Sequence, residues 1–151
     1  MHSVAIEPAR QPDVEKLLRL GEEFALSLYP PQSCYLLDVG ELEHADVTVF
    51  VARVDGEAGG MDALVDKHDG SAELKRLFID DAARGLGLAR QLLERIEEFG
   101  SAAGAHVIQL ETGPRSFAAI ALYTSSGYQG IANFGQYVDD PHSVCMEKEL
   151  T

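Results

Sequence analysis

The stretch Glu73-Leu74-Lys75-Arg76-Leu77-Phe78-Ile79-Asp80-Asp81-Ala82-Ala83-Arg84-Gly85-Leu86-Gly87-Leu88-Ala89 decides how this chain folds. It runs from a strand-like segment through a short acidic turn and two glycines into a helical pattern, in which Leu88, Leu92, Leu93, Ile96 and Phe99 share one face. A strand, a glycine turn and a helix in succession make an anion site. Glycine lets the backbone approach a ligand closely, and the first amides of a helix have no intrahelical acceptor, so they point outward with the helix dipole behind them. Two nucleotide-binding patterns fail here. A Walker loop needs Lys-Ser or Lys-Thr after its last glycine, where this chain has Leu88-Ala89, and a dinucleotide fingerprint needs a small residue where Arg90 stands. Taken alone, Gly85 and Gly87 fit a plain tight turn equally well.

Working outward, residues 4–6 read as a short strand. After Pro12-Asp13 the apolar positions Val14, Leu17, Leu18, Phe24, Ala25 and Leu28 recur at helical spacing until Pro30-Pro31 ends them. Residues 30–46 have weak periodicity and read as a loop or a short second helix. A β-branched and aromatic strand over 47–52, a turn at Asp55-Gly56 and a partner strand over 57–65 form a hairpin. His68-Asp69-Gly70 turns the chain into the strand Ser71–Ile79, and Gly100 and Gly104 mark the far end of the following helix. Strands over 107–110, 128–131 and 143–149 and a short helix over 116–125 complete a mixed α/β order. No repeat, low-complexity tract or linker interrupts the chain, so residues 1–151 are expected to form one domain.

Composition narrows the function. The 151 residues include 12 Lys plus Arg against 25 Asp plus Glu, a formal net charge of −13, which disfavours a nucleic acid or an anionic membrane as partner and fits a cationic one. No apolar run approaches the roughly 20 residues of a membrane span, and the start Met1-His2-Ser3-Val4 lacks a basic, apolar leader pattern. A cytoplasmic location is the expectation. Cys34 and Cys145 lie in no CxxC or Cys/His cluster and read as small buried hydrophobes. His2, His44, His68, His106 and His142 show no metal-ligand spacing, so no metal is expected.

With these residues in view, the chain resembles the GNAT superfamily of acetyl-CoA-dependent N-acetyltransferases. That signature is Gln or Arg, two residues, Gly, one residue, then Gly or Ala, matched here by Arg84, Gly87 and Ala89. The likeness extends upstream to the strand ending at Ile79 and downstream to Ala119-Ile120-Ala121-Leu122-Tyr123 with Gly127-Tyr128, which is similar to the family's second cofactor motif. It covers roughly residues 72–128. One departure is Ser116, which stands where many members carry an Asn that contacts the cofactor.

The resemblance implies an α/β fold with a mixed, mainly antiparallel central sheet whose central strands splay, flanked by helices. It implies acetyl-CoA as cosubstrate, its pyrophosphate held by the amides of Arg84, Gly85, Leu86, Gly87, Leu88 and Ala89, with charge added by Arg90 and a side-chain contact from Ser116. The backbone of Leu77, Phe78 and Ile79 would pair with the pantetheine arm as an added strand pairs with a sheet edge. The thioester would lie between the strand ending near Ile79 and the one beginning near Val107. An amine near pKa ~10 needs a base to become nucleophilic, and Glu73 occupies a position where several members place one, either directly or through water. The alternative for Glu73 is binding the substrate ammonium or pairing with Lys75 or Arg76. Tyr123 matches the tyrosine that often protonates the leaving thiolate, with packing beneath the cofactor as its alternative role.

Two segments, 29–35 and 134–142, are candidates for the acceptor side. There the carboxylates of Asp38, Asp139 and Asp140 would favour a cationic amine. The expected acceptor is a small-molecule primary amine, an amino acid or polyamine, and a homodimer is open. Peptide or protein amines, a non-catalytic CoA-binding module and generic phosphate binding stay as alternatives, because a fold does not guarantee an activity.

Overall fold

A computed structural model describes residues 1–151. The elements follow the order β1 (His2–Ile6), α1 (Pro12–Leu28), α2 (Val39–Leu42), β2 (Val47–Val54), β3 (Glu57–Asp66), β4 (Ser71–Ile79), α3 (Leu88–Ala102), β5 (Val107–Thr112), α4 (Phe117–Ser125), β6 (Gln129–Ile131) and β7 (Val144–Glu149). Residues 30–46 contain a single 3-10 turn and the four-residue α2. That short helix has a local cause: the Asp38 carboxylate accepts from the Glu41 amide at 2.8 Å, and the Glu41 carboxylate accepts from the Asp38 amide at 3.1 Å.

The strands form one sheet in the order β1-β2-β3-β4-β5-β7-β6, antiparallel throughout except between β4 and β5. Alternating side chains feed two cores. Leu64, Ala72, Leu74, Ile108 and Leu110 pack under Leu88, Leu92, Leu93 and Ile96 of α3 and Tyr123 of α4. On the opposite face Val49, Val51, Met61 and Ala63 meet Val14, Leu17 and Leu18 of α1 and Leu42 of α2. No helix is long and apolar enough to cross a membrane.

The feature that positions everything else is the short β4–β5 ladder. Pairing covers only Ser71↔Val107, Ala72↔Ile108, Glu73↔Gln109 and Leu74↔Leu110. Beyond Leu74 and Leu110 the two strands part, so the opening lies between β5 and the end of β4 near Ile79. On the other edge of β4, Met61 pairs with Phe78 and Ala63 with Lys75, which leaves Arg76 and Leu77 opposite the single residue Asp62. This is a β-bulge. Arg76 sits at φ 71, a left-handed conformation that a non-glycine residue occupies at a cost of about 1–3 kcal/mol. Its guanidinium donates to the carbonyls of Leu18 at 2.6 Å and Leu37 at 2.9 Å, which ties the bulge to α1 and to the segment before α2.

The glycine turn packs closely on β3. A Cβ built on Gly59 would lie 2.8 Å from both the Ala83 Cβ and a Leu88 methyl, and Ala83 has no rotamer with which to retreat. Gly59→Ala is therefore expected to destabilise the fold by about 2 kcal/mol through overpacking. A melting temperature lower by roughly 4–8 °C in calorimetry checks this, and an unchanged value would show that the turn yields freely.

Candidate active site

The opening between β4 and β5 continues into a cavity of about 980 Å³. One end is walled by Leu77, Phe78, Ile79, Arg84, Gly85, Gly87, Leu88, Ala89 and Arg90. Gly85 and Gly87 have φ of 81° and 77°, and Gly87 is the residue from which α3 starts, with no side chain capping it. None of the main-chain N–H groups from Gly85 to Arg90 has an acceptor within the protein; the first helical bond runs from the Gln91 amide to the Gly87 carbonyl. The amide of Arg84 differs, because it donates to the Asp81 carbonyl at 3.3 Å. The Arg84 guanidinium also pairs with Asp81, at 2.9 Å and on the surface. Arg90 reaches the hydroxyls of Ser125 at 2.8 Å and Ser126 at 3.3 Å, linking the start of α3 to the end of α4. Leu86 contributes its free amide, but its side chain is exposed and off the cavity wall.

Tyr123 lines the inner part of the cavity. Its hydroxyl makes no hydrogen bond to another protein group, and burial, with the nearby carboxyls of Asp62 and Glu111, holds the phenol well above its ordinary range. Ser116 also lines the cavity, yet its hydroxyl is engaged by that of Tyr29 at 2.8 Å. The Tyr29 hydroxyl further accepts from the Arg115 amide at 3.0 Å, and its ring lies over Gly113, where a Cβ would come within 2.0 Å of it. Thus the end of α1 is fastened to the loop between β5 and α4.

Glu73 lies elsewhere. It is buried but does not line the cavity. Its carboxylate accepts from the Tyr137 hydroxyl at 2.6 Å and faces the ammonium groups of Lys67 at 3.2 Å and Lys75 at 3.8 Å. Pairing with Lys75, the alternative weighed in the sequence, is what the geometry contains, and the partner from the 134–142 segment is 64 residues away.

The carboxylate that does line the cavity is Glu111, at the point where β5 leaves β4. Sequence reading passed over it because a lone Glu at a strand end carries no spacing signal. Burial raises its carboxyl to about 7, opposed by a hydrogen bond from the Ser143 hydroxyl at 2.8 Å and by the charge of Lys75. Of the segments expected on the acceptor side, Tyr29, Ser33, Cys34, Tyr35 and His142 line the cavity, whereas Asp38, Asp139 and Asp140 do not. Asp38 caps α2, and Asp140 accepts from the Tyr35 hydroxyl at 2.7 Å, joining the two segments.

A sheet that opens beside free helix-start amides is the arrangement the GNAT resemblance implies, and comparison with known proteins gives the class as GNAT acetyltransferase. The profile of the acetyltransferase (GNAT) family matches residues 13–128. The IAA acetyltransferase of Azospirillum brasilense is 39% identical over 149 residues, covering 98% of this chain and 97% of the relative. YsnE, an uncharacterized N-acetyltransferase of Bacillus subtilis, is 33% identical over 123 residues, 80% of this chain and 82% of its own. A structure from Klebsiella pneumoniae, assigned to the acyl-CoA N-acyltransferases, superposes with a TM-score of 0.85 at 33% identity over 100% of this chain and 99% of that one. The chain belongs to the GNAT acetyltransferase family.

The Glu73 cluster yields a stability prediction. Glu73→Ala removes the buried carboxylate that faces the largely covered Lys75 ammonium and leaves that ammonium only the Tyr137 hydroxyl as a close partner, a loss of about 3 kcal/mol. Thermal unfolding should show a fall of roughly 6–12 °C; a variant as stable as the parent would mean that the cluster is held by Tyr137 alone.

Proposed function

We propose that this protein transfers an acetyl group from acetyl-CoA to the primary amine of a small molecule of the amino-acid or polyamine class. The observation that carries this reading is the run of unengaged amides from Gly85 to Arg90 at one end of a cavity that has Glu111 at its wall. Six consecutive donors at a helix start suit a diphosphate, and the free edge of β4 at Leu77, Phe78 and Ile79 suits an extended amide-bearing arm. Acetyl-CoA supplies the activated acyl group. In this reading Glu111, and not Glu73, takes the proton of the attacking ammonium, because its carboxyl borders the cavity and releases its own proton near neutrality. Tyr123 keeps its proton at rest and gives it to the departing sulfur. The Tyr35–Asp140 hydrogen bond bridges two loops next to the acceptor wall, an arrangement that favours a compact amine over an extended peptide.

Thiol release measured across amino acids, polyamines and peptides at fixed acetyl-CoA tests the proposal. Turnover of one small amine class is the expected result. Turnover only with peptides overturns the acceptor class, and tight acetyl-CoA binding in calorimetry with no thiol release from any amine replaces the enzyme by a binding module.

Base catalysis by Glu111 has its own signature. The carboxyl must be ionised to accept a proton, so kcat/KM should rise as pH increases through about 7. Glu111→Gln should lower kcat by about 10²–10³-fold and remove that rise; retention of the same acidic limb would assign it to another group.

A further inference from the structure

Asp62 is used by nothing described so far. Its side chain is fully buried in the middle of β3, one oxygen accepts from the adjacent Ala63 amide at 2.9 Å, and the other has no partner. Among side-chain oxygens and nitrogens wholly shielded from solvent it alone lacks a partner; the unbonded Tyr123 hydroxyl belongs to the cavity wall. Such an orphan costs about 1–3 kcal/mol when neutral and considerably more when charged, so its retention asks for a reason.

Position supplies one. Met61 and Ala63 belong to the core beneath α1, and Leu64 to the core beneath α3, so alternation along β3 puts Asp62 on the α3 and α4 side of the sheet. There it lies opposite the Arg76-Leu77 bulge, at the place where β4 begins to part from β5, and it borders the same cavity as Tyr123. The Arg76 guanidinium is turned away to the carbonyls of Leu18 and Leu37 and offers Asp62 no counter-charge. On this side of the sheet α3 presents the apolar Leu88 and Leu92. The titratable groups that sense its charge are Tyr123 on α4 and Tyr128 after it. Glu97 of α3 is occupied by the Tyr128 hydroxyl and the Lys148 ammonium, and Glu111 of β5 borders the same cavity and also pushes the Tyr123 phenol up.

We propose that Asp62 is a positioning residue for acyl transfer: from beneath the β4 bulge, its carboxyl sets whether Tyr123 can release a proton to the departing thiolate. This rests on the reading of Tyr123 as that proton donor. In the step concerned the amine nitrogen has bonded to the acyl carbon, the carbon–sulfur bond breaks with its electron pair on sulfur, and the phenol proton passes to sulfur to give the thiol. The phenolate left behind regains a proton from solvent before the next turnover. With Asp62 neutral, Tyr123 becomes the only anion on this side of the cavity. With Asp62 ionised, a second negative charge must form beside the first in a region of low dielectric, and the step slows. Burial with no counter-charge keeps Asp62 in its neutral form well above the ordinary carboxylate range.

The isosteric, uncharged variant Asp62→Asn separates this role from simple packing. Because the folded protein holds a proton on Asp62 that the unfolded chain has lost above about pH 4, parent stability falls as pH rises and levels off where folded Asp62 ionises. The melting-temperature advantage of the Asn variant should therefore grow with pH and reach a plateau at that point. At the same pH the parent kcat should fall by about tenfold or more, while the Asn variant keeps its rate and both keep the same KM for acetyl-CoA within about twofold. Identical alkaline profiles for parent and variant, or a kcat limb that does not coincide with the stability plateau, would overturn the inference. Tyr123→Phe distinguishes the two readings. Full activity in that variant removes the proton-donor role and the Asp62 proposal with it, whereas lost activity combined with an unchanged Asp62→Asn profile removes the Asp62 proposal alone.

Discussion

The parting of β4 from β5 after four paired positions is the constraint on which the rest of the molecule depends. A continuous ladder would satisfy the backbone groups of Leu77, Phe78 and Ile79 internally and leave no opening. The bulge at Arg76 and Leu77 turns β4 aside, and the cost of the left-handed Arg76 is offset by its two carbonyl partners on α1 and the segment before α2. The same anchoring brings α1 to the cavity, where Phe24, Ala25, Leu28 and Tyr29 form part of its wall. One irregularity in one strand thus creates both the ligand edge and the surface facing it.

Three interior carboxyls show how environment divides identical chemistry. Glu73 has two ammonium groups and a hydroxyl around it and is engaged within the fold. Glu111 has one hydroxyl donor and a more distant ammonium, which leaves its carboxyl at about 7. Asp62 has only a neighbouring amide and is held neutral. The net charge of −13 therefore says little about the site, where the positive character at the mouth comes from main-chain N–H groups, the dipole of α3 and the side chains of Arg84 and Arg90. An acidic composition is compatible with this loop because its unengaged amides, with Arg84 and Arg90 beside them, set the local field.

Local signals made much of this legible. The β-branched and aromatic run of β2, the apolar stripe of α3 and the proline pair that ends α1 specify their elements without reference to the rest of the chain. The glycines at 85 and 87 announce a left-handed turn, and the structure has positive φ at both. Helix α2 was equally readable from Asp38 and Glu41, three apart, although weak hydrophobic periodicity obscured it. The place where the two strands part had no such signal: strand sequences do not state where a parallel ladder ends, because that is fixed by the bulge and its distant anchors.

By itself the sequence determined the element order, the mixed α/β class, the glycine turn ahead of α3 and the family, since each is written in spacings of a few residues along the chain. Tertiary structure alone decided which carboxylate meets the cavity. Glu73 is withdrawn by Tyr137, 64 positions away, Ser116 by Tyr29, 87 away, and Asp140 by Tyr35, 105 away. Proton affinity and hydrogen-bond availability depend on neighbours brought together in space, and such neighbours leave no trace in local spacing.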